Sequence, residues 1–413
     1  MAGWGRRASL EIALFLVLLL CIIHEDVAAA RIRRPRPAGA EKVFNVMRFG
    51  AKKGGSIDCT QAFADTWIAA CRGPLSKGIN TRVVVPNGVF LVSASLFEGP
   101  CTATGIVFEI RGTIQADTDI SNYPNNAWLG WDTVDNMLIA GSGTIDGQGQ
   151  KVWEYNDCKT NPNCIHLPSA VHFDDITNSM IRNIHVQNAM GFNLHIVNSK
   201  SVRVKNVRII APGKSPNTDG VHISKSSNVS IDNSFIGTGD DCISLGPGSI
   251  DVSINNLICG PGHGISIGSL GKGPDEMDVT GIKVKNCTLV GTTNGLRIKT
   301  WPGSPPSNAR DMVFSDITMK DVMNPIIIDQ GYGGGDPVSK PSKVQVSDIV
   351  FENVKGTSGS EVAVNLMCSK AVPCSNVQLN NIQLTKALAA REITSSCVNA
   401  KVGYSGAQLP PAC

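Results

Sequence analysis

Short stretches of alternating apolar and polar residues recur along the chain from about residue 180. The apolar members of these stretches include Val202, Val204, Val207, Val229, Ile231, Ile282 and Val284. A period of two residues is typical of β-strands, whereas an amphipathic helix has a period near 3.6. Helical patterns are scarce in this part of the chain, so the sequence predicts many short strands.

An Asn or Asp occupies the same place in each of these stretches. The successive positions, 23 to 33 residues apart, are Asn183, Asn206, Asn233, Asn256, Asn286, Asp316, Asp348 and Asn381. Repeats of about 20–50 residues indicate a solenoid, and both residue types tolerate the left-handed backbone of tight turns. These patterns predict an all-β fold, a single-stranded right-handed parallel β-helix with one coil per repeat.

The N-terminal end of this solenoid is expected to carry a cap. The segments 82–91, 105–116 and 137–146 have strand character and are predicted to form the first coils. An open coil end would expose unpaired strand edges, and residues 60–71 have the apolar spacing of a short capping helix. The buried face of this helix is predicted to contain Ala62, Phe63, Thr66, Trp67, Ala70 and Cys71. No internal linker is evident, which predicts one β-helix domain over residues 43–413.

The first thirty residues have the pattern of a secretory signal peptide. Arg6 and Arg7 precede an apolar run over 12–23, and three alanines at 28–30 offer a cleavage site. The run is too short for a bilayer, which needs about 20 residues. Residues 31–42 are basic and proline-rich and are predicted to form a disordered tail. The mature protein is therefore expected to be secreted, extracellular and not bound to a membrane.

Twelve cysteines remain after position 30, and an even number in an exported chain predicts disulfides. Short separations favour the pairs Cys158–Cys164, Cys242–Cys259, Cys368–Cys374 and Cys397–Cys413. Cys59 and Cys287 are the candidates for free thiols. Two Asn-x-Ser/Thr sequons make Asn228 and Asn286 candidate glycosylation sites in an exported chain.

Composition excludes nucleic acid as a partner. The formal net charge is only +3, and aromatic residues make up 5% of the chain. A nucleic-acid-binding surface would need basic stripes interleaved with stacking aromatic side chains. Four of the positive charges are the arginines at 31, 33, 34 and 36 in the predicted tail, which leaves the body near neutral.

Four polar motifs follow one another about one repeat apart, namely Asn217-Thr218-Asp219-Gly220, Gly239-Asp240-Asp241-Cys242, Gly262-His263-Gly264 and Arg297-Ile298-Lys299. Residues one repeat apart stack on one face of a solenoid, so these motifs are predicted to form one site. Three neighbouring carboxylates repel, and one of them is expected to keep its proton near neutral pH. The protonated carboxyl would suit a general acid, and an ionised one could activate water.

The two cations of the last motif add a binding function. Arg297 and Lys299 are two residues apart and therefore on one strand face, which suits a carboxylate-bearing ligand. Tyr332, ahead of a run of glycines, is a candidate for stacking on a sugar. Taken singly, each aspartate could be one more turn residue, His263 a structural histidine and the cations a solvated strand face. The occurrence of all four motifs in order, about one repeat apart, favours a catalytic site.

The motifs in their order and context resemble the signature of the plant polygalacturonases, glycoside hydrolases of family 28 that cut homogalacturonan. The matching contexts are Ser215-Pro-Asn-Thr-Asp-Gly, Thr238-Gly-Asp-Asp-Cys-Ile-Ser, Cys259-Gly-Pro-Gly-His-Gly-Ile-Ser and Thr293-Asn-Gly-Leu-Arg-Ile-Lys-Thr-Trp. The resemblance covers about residues 43 to 400. Phe44-Asn-Val-Met-Arg-Phe-Gly-Ala, Tyr155-Asn-Asp-Cys158 and Pro325-Ile-Ile-Ile-Asp-Gln330 are most similar to the pollen-type exopolygalacturonases.

This resemblance implies inverting hydrolysis of the α-1,4 bonds of polygalacturonate without a metal or another cofactor. By motif position Asp240 would be the general acid, and Asp219 and Asp241 would hold and deprotonate the water. His263 would assist the acid.

The resemblance also implies which residues bind substrate and what the protein associates with. Arg297 and Lys299 would bind the substrate carboxylate, with Tyr332 and Asn217 in the cleft. Homogalacturonan would be the partner, and a monomer in the cell wall is expected. Plant relatives usually have a cysteine after Tyr332, whereas glycines 333–335 follow here, so a loop disulfide is expected to be missing.

Three alternatives remain open at this point. Exo action is preferred on resemblance alone, and endo action depends on loops that the sequence does not show. A calcium-dependent pectate lyase is another β-helix protein that acts on the same polymer, by elimination. An inactive wall protein that only binds pectin is the third alternative.

Overall fold

A computed structural model describes residues 41–157, 161, 164, 166–334, 337–387 and 392–413. The predicted signal peptide and nearly all of the predicted tail lie outside the described residues, and both stay predictions. The tail ends earlier than predicted, because Glu41 pairs with Arg82 (Oε2–Nε, 2.9 Å) and Lys42 begins the first strand. Residues 41–413 form one compact unit. No helix in the described ranges is both long and apolar enough to cross a bilayer.

The described chain is built almost entirely from short strands. Its first part contains β1 (Lys42–Asn45), α1 (Thr60–Cys71), β2 (Asn80–Val85), β3 (Val89–Val92), β4 (Ser95–Glu98), β5 (Gly105–Ile110), β6 (Thr113–Ala116), β7 (Ala127–Asp132), β8 (Met137–Gly141) and β9 (Thr144–Asp146). Its middle part contains β10 (Ser169–Asp174), β11 (Thr177–Arg182), β12 (His185–Gln187), β13 (Leu194–Val197), β14 (Lys200–Lys205), β15 (Arg208–Ile210), β16 (Val221–Ser224), β17 (Ser227–Asp232), β18 (Phe235–Gly237), β19 (Ile243–Leu245), β20 (Ile250–Asn255), β21 (Ile258–Cys259) and β22 (Ile265–Leu270). Its last part contains β23 (Val279–Lys285), β24 (Thr288–Val290), β25 (Asn294–Thr300), β26 (Ser307–Val322), β27 (Asn324–Asp329), β28 (Val344–Ser358), β29 (Val362–Met367), β30 (Cys374–Lys386), β31 (Thr394–Val398) and β32 (Ala400–Leu409). Short 3₁₀ turns lie at Val46–Phe49, Ile120–Asn122, Gly149–Lys151, Trp153–Tyr155 and Tyr332–Gly334.

The strands form three parallel stacks, with about one strand of each coil in each stack. Neighbouring strands in stack A are, in order, β1, β2, β5, β8, β11, β14, β17, β20, β23, β26, β28, β30 and β32. Neighbouring strands in stack B are, in order, β3, β6, β9, β12, β15, β18, β21, β24 and β26. Stack C runs β4, β7, β10, β13, β16, β19, β22, β25, β27, β29, β31. The long strands β26, β28 and β30 join stacks A and B into one sheet. This is the predicted right-handed parallel β-helix.

Stacked apolar side chains fill the interior of the coils. One column runs through paired positions of stack A and contains Ile181, Val204, Ile231, Ile254, Val284, Phe314 and Phe351, all fully buried. Burying a side chain of this size contributes about 1.5–3 kcal/mol. The period-two pattern in the sequence therefore identifies the residues that hold consecutive coils together.

Seven of the eight predicted Asn/Asp positions lie at the turn between stacks A and B. All eight have a left-handed backbone, with φ between 51° and 57°. Amide side chains bond along this column, as in Asn206 Nδ2 to Asn183 Oδ1 (3.2 Å).

One member of that series is assigned to the wrong column. Strand register pairs Asp316 with Asn353, and the amide of Asn381 donates to Asn353 Oδ1 at 2.8 Å. Asp348 belongs to a neighbouring column, where it accepts from Asn376 (2.8 Å). The error arises because the coil after Asp316 is longer than the coils before it. The spacing of the earlier repeats therefore points to Asp348, five residues before Asn353, which occupies the column.

The predicted cap and early coils are confirmed. Helix α1 buries the six predicted residues, and its Trp67 ring lies 5.5 Å from that of Phe97. The first coils contain β2 with β3, β5 with β6, and β8 with β9, which match the three predicted segments. The helix thus covers the interior at the first coils of the described chain.

Three predicted disulfides are confirmed, namely Cys242–Cys259, Cys368–Cys374 and Cys397–Cys413. The structure adds Cys71–Cys101, which ties the capping helix to the coils. Cys59 and Cys287 are free and buried, as predicted. The predicted pair Cys158–Cys164 involves Cys158, which lies outside the described residues.

Candidate active site

The four polar motifs converge on stack C. Asp219 directly precedes β16, Asp240 and Asp241 precede β19, His263 precedes β22, and Arg297 lies within β25. These four strands are consecutive neighbours in stack C. The prediction that residues one coil apart meet on one face is therefore correct.

Glycines shape the turn that carries the adjacent aspartates. A Cβ at Gly239 would lie 2.1 Å from the Ser215 carbonyl oxygen, so a larger residue does not fit there. The turn directs the two carboxyls differently, since the side chain of Asp240 is 21% exposed and that of Asp241 only 1%. One of these carboxyls is thus available to a ligand, and the other is part of the interior.

Asp241 is held by two cations and a hydroxyl. Its Oδ1 accepts from Arg297 Nη2 (2.7 Å) and Ser266 Oγ (2.7 Å), and its Oδ2 accepts from Lys299 Nζ (2.8 Å). Ser266 also accepts from Arg297 Nε (3.0 Å). Ile298 between the cations is buried, as predicted. Sequence reasoning missed the contact between these cations and Asp241, because it depends on strands 56 residues apart.

Asp240 contacts the histidine of the third motif. Its Oδ1 lies 3.0 Å from His263 Nδ1 and accepts from the Asp241 amide (2.8 Å). Burial on its own raises the pKa of Asp240, but these hydrogen bonds and the charges of His263 and Lys299 outweigh burial and lower it. Its Oδ2 accepts no hydrogen bond from the described residues, and the His263 side chain bonded to Oδ1 is partly exposed (39%).

Asp219 is the most strongly perturbed carboxyl. Burial, followed by the negative charges of Asp240 and Asp241, raises its pKa well above the ordinary value. The raised pKa favours the protonated form of Asp219, in line with the expectation that one of the three carboxyls keeps its proton.

Asp219 is also held by a hydrogen-bond relay through Ser244 to His222, which sequence reasoning missed. Ser244 Oγ lies 2.7 Å from Asp219 Oδ2, and His222 Nδ1 lies 2.8 Å from Ser244 Oγ. Burial lowers the pKa of His222 to about 4, so the imidazole is neutral above that pH. With Asp219 ionised, Ser244 donates to it and His222 donates to Ser244; with Asp219 protonated, both hydrogen bonds can reverse. The relay satisfies either state of the carboxyl.

Tyr332 lies over the two cations, with its ring centroid 5.1 Å from Lys299 Nζ and 5.9 Å from the guanidinium carbon of Arg297. Asn217 is exposed at the other side of the site, where its Oδ1 accepts from Asn156 Nδ2 (3.1 Å). The structure thus brings all eight predicted catalytic and binding residues to one face. Asn228 and Asn286, the predicted glycosylation sites, are exposed.

Comparison with known proteins decides the family. The model of glycosyl hydrolases family 28 matches residues 76–406, most of the chain. The chain belongs to glycosyl hydrolase family 28. It is 44% identical to an exopolygalacturonase of Platanus acerifolia, over 89% of this chain and 97% of the relative. An exopolygalacturonase of Arabidopsis thaliana is 40% identical, over 97% of this chain and 95% of the relative.

A solved structure supports the fold. The polygalacturonase of Erwinia carotovora ssp. carotovora is similar with a TM-score of 0.71 at 24% identity, over 90% of this chain and 99% of that one. At this identity the likeness concerns the β-helix alone.

The family 28 site extends into a column of rings that sequence reasoning also missed. His172, His195 and His222 occupy paired positions on β10, β13 and β16, with centroids 4.6 and 5.1 Å apart. Phe192 stacks on His222 at 4.8 Å. Histidines 23 and 27 residues apart, each flanked by apolar residues, were the signal that could have indicated this column. His195 of this column, together with Phe192 and Asn217, lines a cavity of about 310 Å³.

Three residues of the site have the side-chain types of metal ligands. Asp240, Asp241 and His263 each offer one ligand atom, and these atoms lie within 4.8 Å of one another. Both oxygens of Asp241, however, already accept charged hydrogen bonds from Lys299 and Arg297. A bound cation would have to displace or repel these two positive groups, so the residues fit a charge-paired carboxylate better than a metal.

The raised pKa of Asp219 leads to a stability prediction. In the unfolded chain this carboxyl ionises near its ordinary pKa of 3.8, whereas in the folded protein burial and the charges of Asp240 and Asp241 raise its pKa well above that value. Stability is therefore lost as pH rises from about 4 toward the folded-state pKa. Asp219→Asn keeps the contact with Ser244 and cannot ionise. We expect its Tm to equal the wild-type value below about pH 4 and to exceed it by about 2 °C or more near pH 7.

Thermal unfolding followed by circular dichroism across this pH range measures the difference. Asp232→Asn, on β17 and away from the site, is the matched control and should follow the wild type at every pH. An Asp219→Asn variant less stable than wild type at neutral pH would contradict the assignment of the buried proton.

Proposed function

We propose that this protein is a polygalacturonase that hydrolyses the α-1,4 bonds of polygalacturonate with inversion. The single observation that carries the proposal is the juxtaposition of Asp240, open to a ligand, with Arg297 and Lys299 in one cleft of a family 28 β-helix. The carboxyl can act on a glycosidic oxygen, and the cations can bind the carboxylate that each galacturonate carries. The relatives named above as exopolygalacturonases support the same substrate class.

We assign the general acid to Asp240 because of its access. A proton donor must come within hydrogen-bonding distance of the leaving oxygen, and geometry is judged before pKa. Among the three carboxyls Asp240 is the most exposed, at 21% of its side chain, and its Oδ2 accepts no hydrogen bond from the described residues. The negative charge of a bound galacturonate raises the pKa of a neighbouring carboxyl, which would favour transfer of the proton from Asp219 to Asp240 in the complex.

Asp219 and Asp241 are then the groups that position and deprotonate water. Inversion requires water between the acid and the base, with the two carboxyls about 6.5–9.5 Å apart. Asp219 and Asp241 are on adjacent coils, and their hydrogen bonds to Ser244 and Ser266 fix their orientation. His263, bonded to Asp240, orients the acid and stabilises it once the proton has left.

Arg297 and Lys299 can serve Asp241 and substrate together. A guanidinium has five N–H donors and an ammonium three, and Asp241 and Ser266 engage only part of them. Both side chains keep some exposure, 12% and 8%. Tyr332 covers them and would pack against the sugar ring that they bind.

The remaining features of the proposal concern the whole protein. We propose exo action, because the relatives with more than 40% identity include an exopolygalacturonase. From the sequence patterns described above we also propose secretion, cleavage after residue 30 and N-glycosylation at Asn228 and Asn286. From the resemblance we propose a monomer in the cell wall.

Sizing the products made from polygalacturonate tests the function. We expect the secreted protein to release galacturonate monomer as the first product, unaffected by a chelator and without an ultraviolet-absorbing unsaturated end. An early ladder of oligomers would instead indicate endo action. Chelator-sensitive formation of absorbing ends would identify a calcium-dependent lyase, and binding without any product would identify an inactive wall protein.

A further inference from the structure

A second groove lies directly beside the proposed catalytic cleft. Loops that follow β22, β25 and β27 enclose a volume of about 510 Å³, lined by Lys272, Trp301 and Lys343 among others. None of these three residues belongs to the catalytic set. Trp301 follows the strand that carries Arg297 and Lys299, so the groove continues from the binding cations.

Aromatic rings connect the groove to the cleft without a gap. The ring of Trp301 lies 5.2 Å from that of Tyr332, which covers Lys299 at 5.1 Å. On the far side, Lys272 Nζ lies 5.7 Å from the Trp301 ring. From the cleft into the groove, two aromatic rings thus lie between one cation at each end. Such a surface suits sugars that each carry a carboxylate.

The glycines after Tyr332 make this arrangement possible. A Cβ at Gly333 would lie 2.0 Å from a ring carbon of Trp301, so the indole occupies space that a side chain would fill. Gly333 also has φ of 81°, a conformation that favours glycine. Gly333, which stands where plant relatives usually have a cysteine, therefore leaves the space that the Trp301 ring occupies.

The walls of the groove are fixed by hydrogen bonds. Glu276 accepts from the backbone amides of Lys272 (2.8 Å) and Gly273 (2.7 Å), which holds the loop that carries Lys272. The Lys343 amide donates to buried Ser304 Oγ (2.8 Å). Among the described residues neither Lys272 nor Lys343 forms an ion pair, and both are exposed, so their charges are available to an anionic ligand.

We propose that this groove is an additional subsite, which binds a galacturonate unit of the polymer beyond the unit held by Arg297 and Lys299. Lys272 and Lys343 bind its carboxylate, and Trp301 packs against its ring. The inference depends on the proposed function, since it assigns a further part of the same polyanionic substrate to this surface. A dimer spans the scissile bond with one unit on each side and does not reach the groove, whereas longer chains do.

Hydrolysis rates on substrates of increasing length test the subsite. In the double variant Lys272→Gln/Lys343→Gln we expect KM for polygalacturonate and for oligomers of four or more units to rise about fivefold, with kcat unchanged. KM for digalacturonate should stay at the wild-type value. A matched double variant, Lys205→Gln/Lys283→Gln, removes two exposed lysines from stack A and should match the wild type on all substrates.

Each outcome has a distinct meaning. A KM that rises equally for the dimer and the polymer, or that does not change for either, would overturn the subsite while leaving the hydrolase intact. If the control variant Lys205→Gln/Lys283→Gln raised KM for the polymer by the same factor, the effect would be one of general charge, and the subsite would also be overturned. If the wild-type protein hydrolyses none of these substrates, the proposed function itself fails and the subsite with it.

Discussion

Asp240→Asn is expected to lower kcat on polygalacturonate by about 10³-fold while leaving substrate binding nearly unchanged. A positioned general acid contributes about 10²–10⁴-fold to the rate, and an amide cannot donate the proton of a carboxyl. Asparagine is nearly isosteric, and its oxygen can still accept from the Asp241 amide and from His263. Initial rates by reducing-sugar assay, with oligogalacturonate affinity by calorimetry, measure both quantities.

The control for this variant is Asp232→Asn, which removes one carboxylate from β17 and should keep full activity. Asp219→Asn gives a second comparison. If Asp219 rather than Asp240 delivers the proton, the loss in kcat would be confined to Asp219→Asn. Turnover by Asp240→Asn close to the wild-type rate would refute the assignment of the acid.

Lys299→Met is expected to destabilise the protein by about 3 kcal/mol and to abolish activity. Removing one partner of a buried ion pair leaves an uncompensated charge, at a cost of about 3–5 kcal/mol. Asp241 is 1% exposed, and Arg297 would remain on only one of its two oxygens. Urea unfolding followed by fluorescence gives the loss in free energy of unfolding.

The double variant Asp241→Asn/Lys299→Met distinguishes two causes of the destabilisation by Lys299→Met: an unpaired buried charge on Asp241, and the loss of the packing contacts of Lys299. Because the neutral amide no longer needs the ammonium, we expect the free energy of unfolding to recover to within about 1 kcal/mol of wild type. Activity should stay absent, since the water-activating carboxylate is gone. A double variant as unstable as Lys299→Met alone would show that the lysine acts through packing rather than charge.

The repeat determines most of the fold, and it is visible in the sequence. Asn at turn positions and alternating valines and isoleucines on the strands act locally, through left-handed backbone and burial, so they predict the coils. The exception, Asp348 in place of Asn353, occurs where one coil lengthens. Local spacing carries no information about strand register, which the hydrogen-bonded neighbours decide.

The same distinction applies to the site. The sequence by itself determined that Asp219, Asp240, Asp241, His263, Arg297 and Lys299 share one face, because a solenoid converts a regular spacing into proximity. Only the tertiary structure decided how charge is distributed among them. The pairing of Asp241 with both cations, the open carboxyl of Asp240 and the relay from His222 through Ser244 to Asp219 depend on burial and on distances between coils. Those quantities arise from packing, which no spacing along the chain specifies.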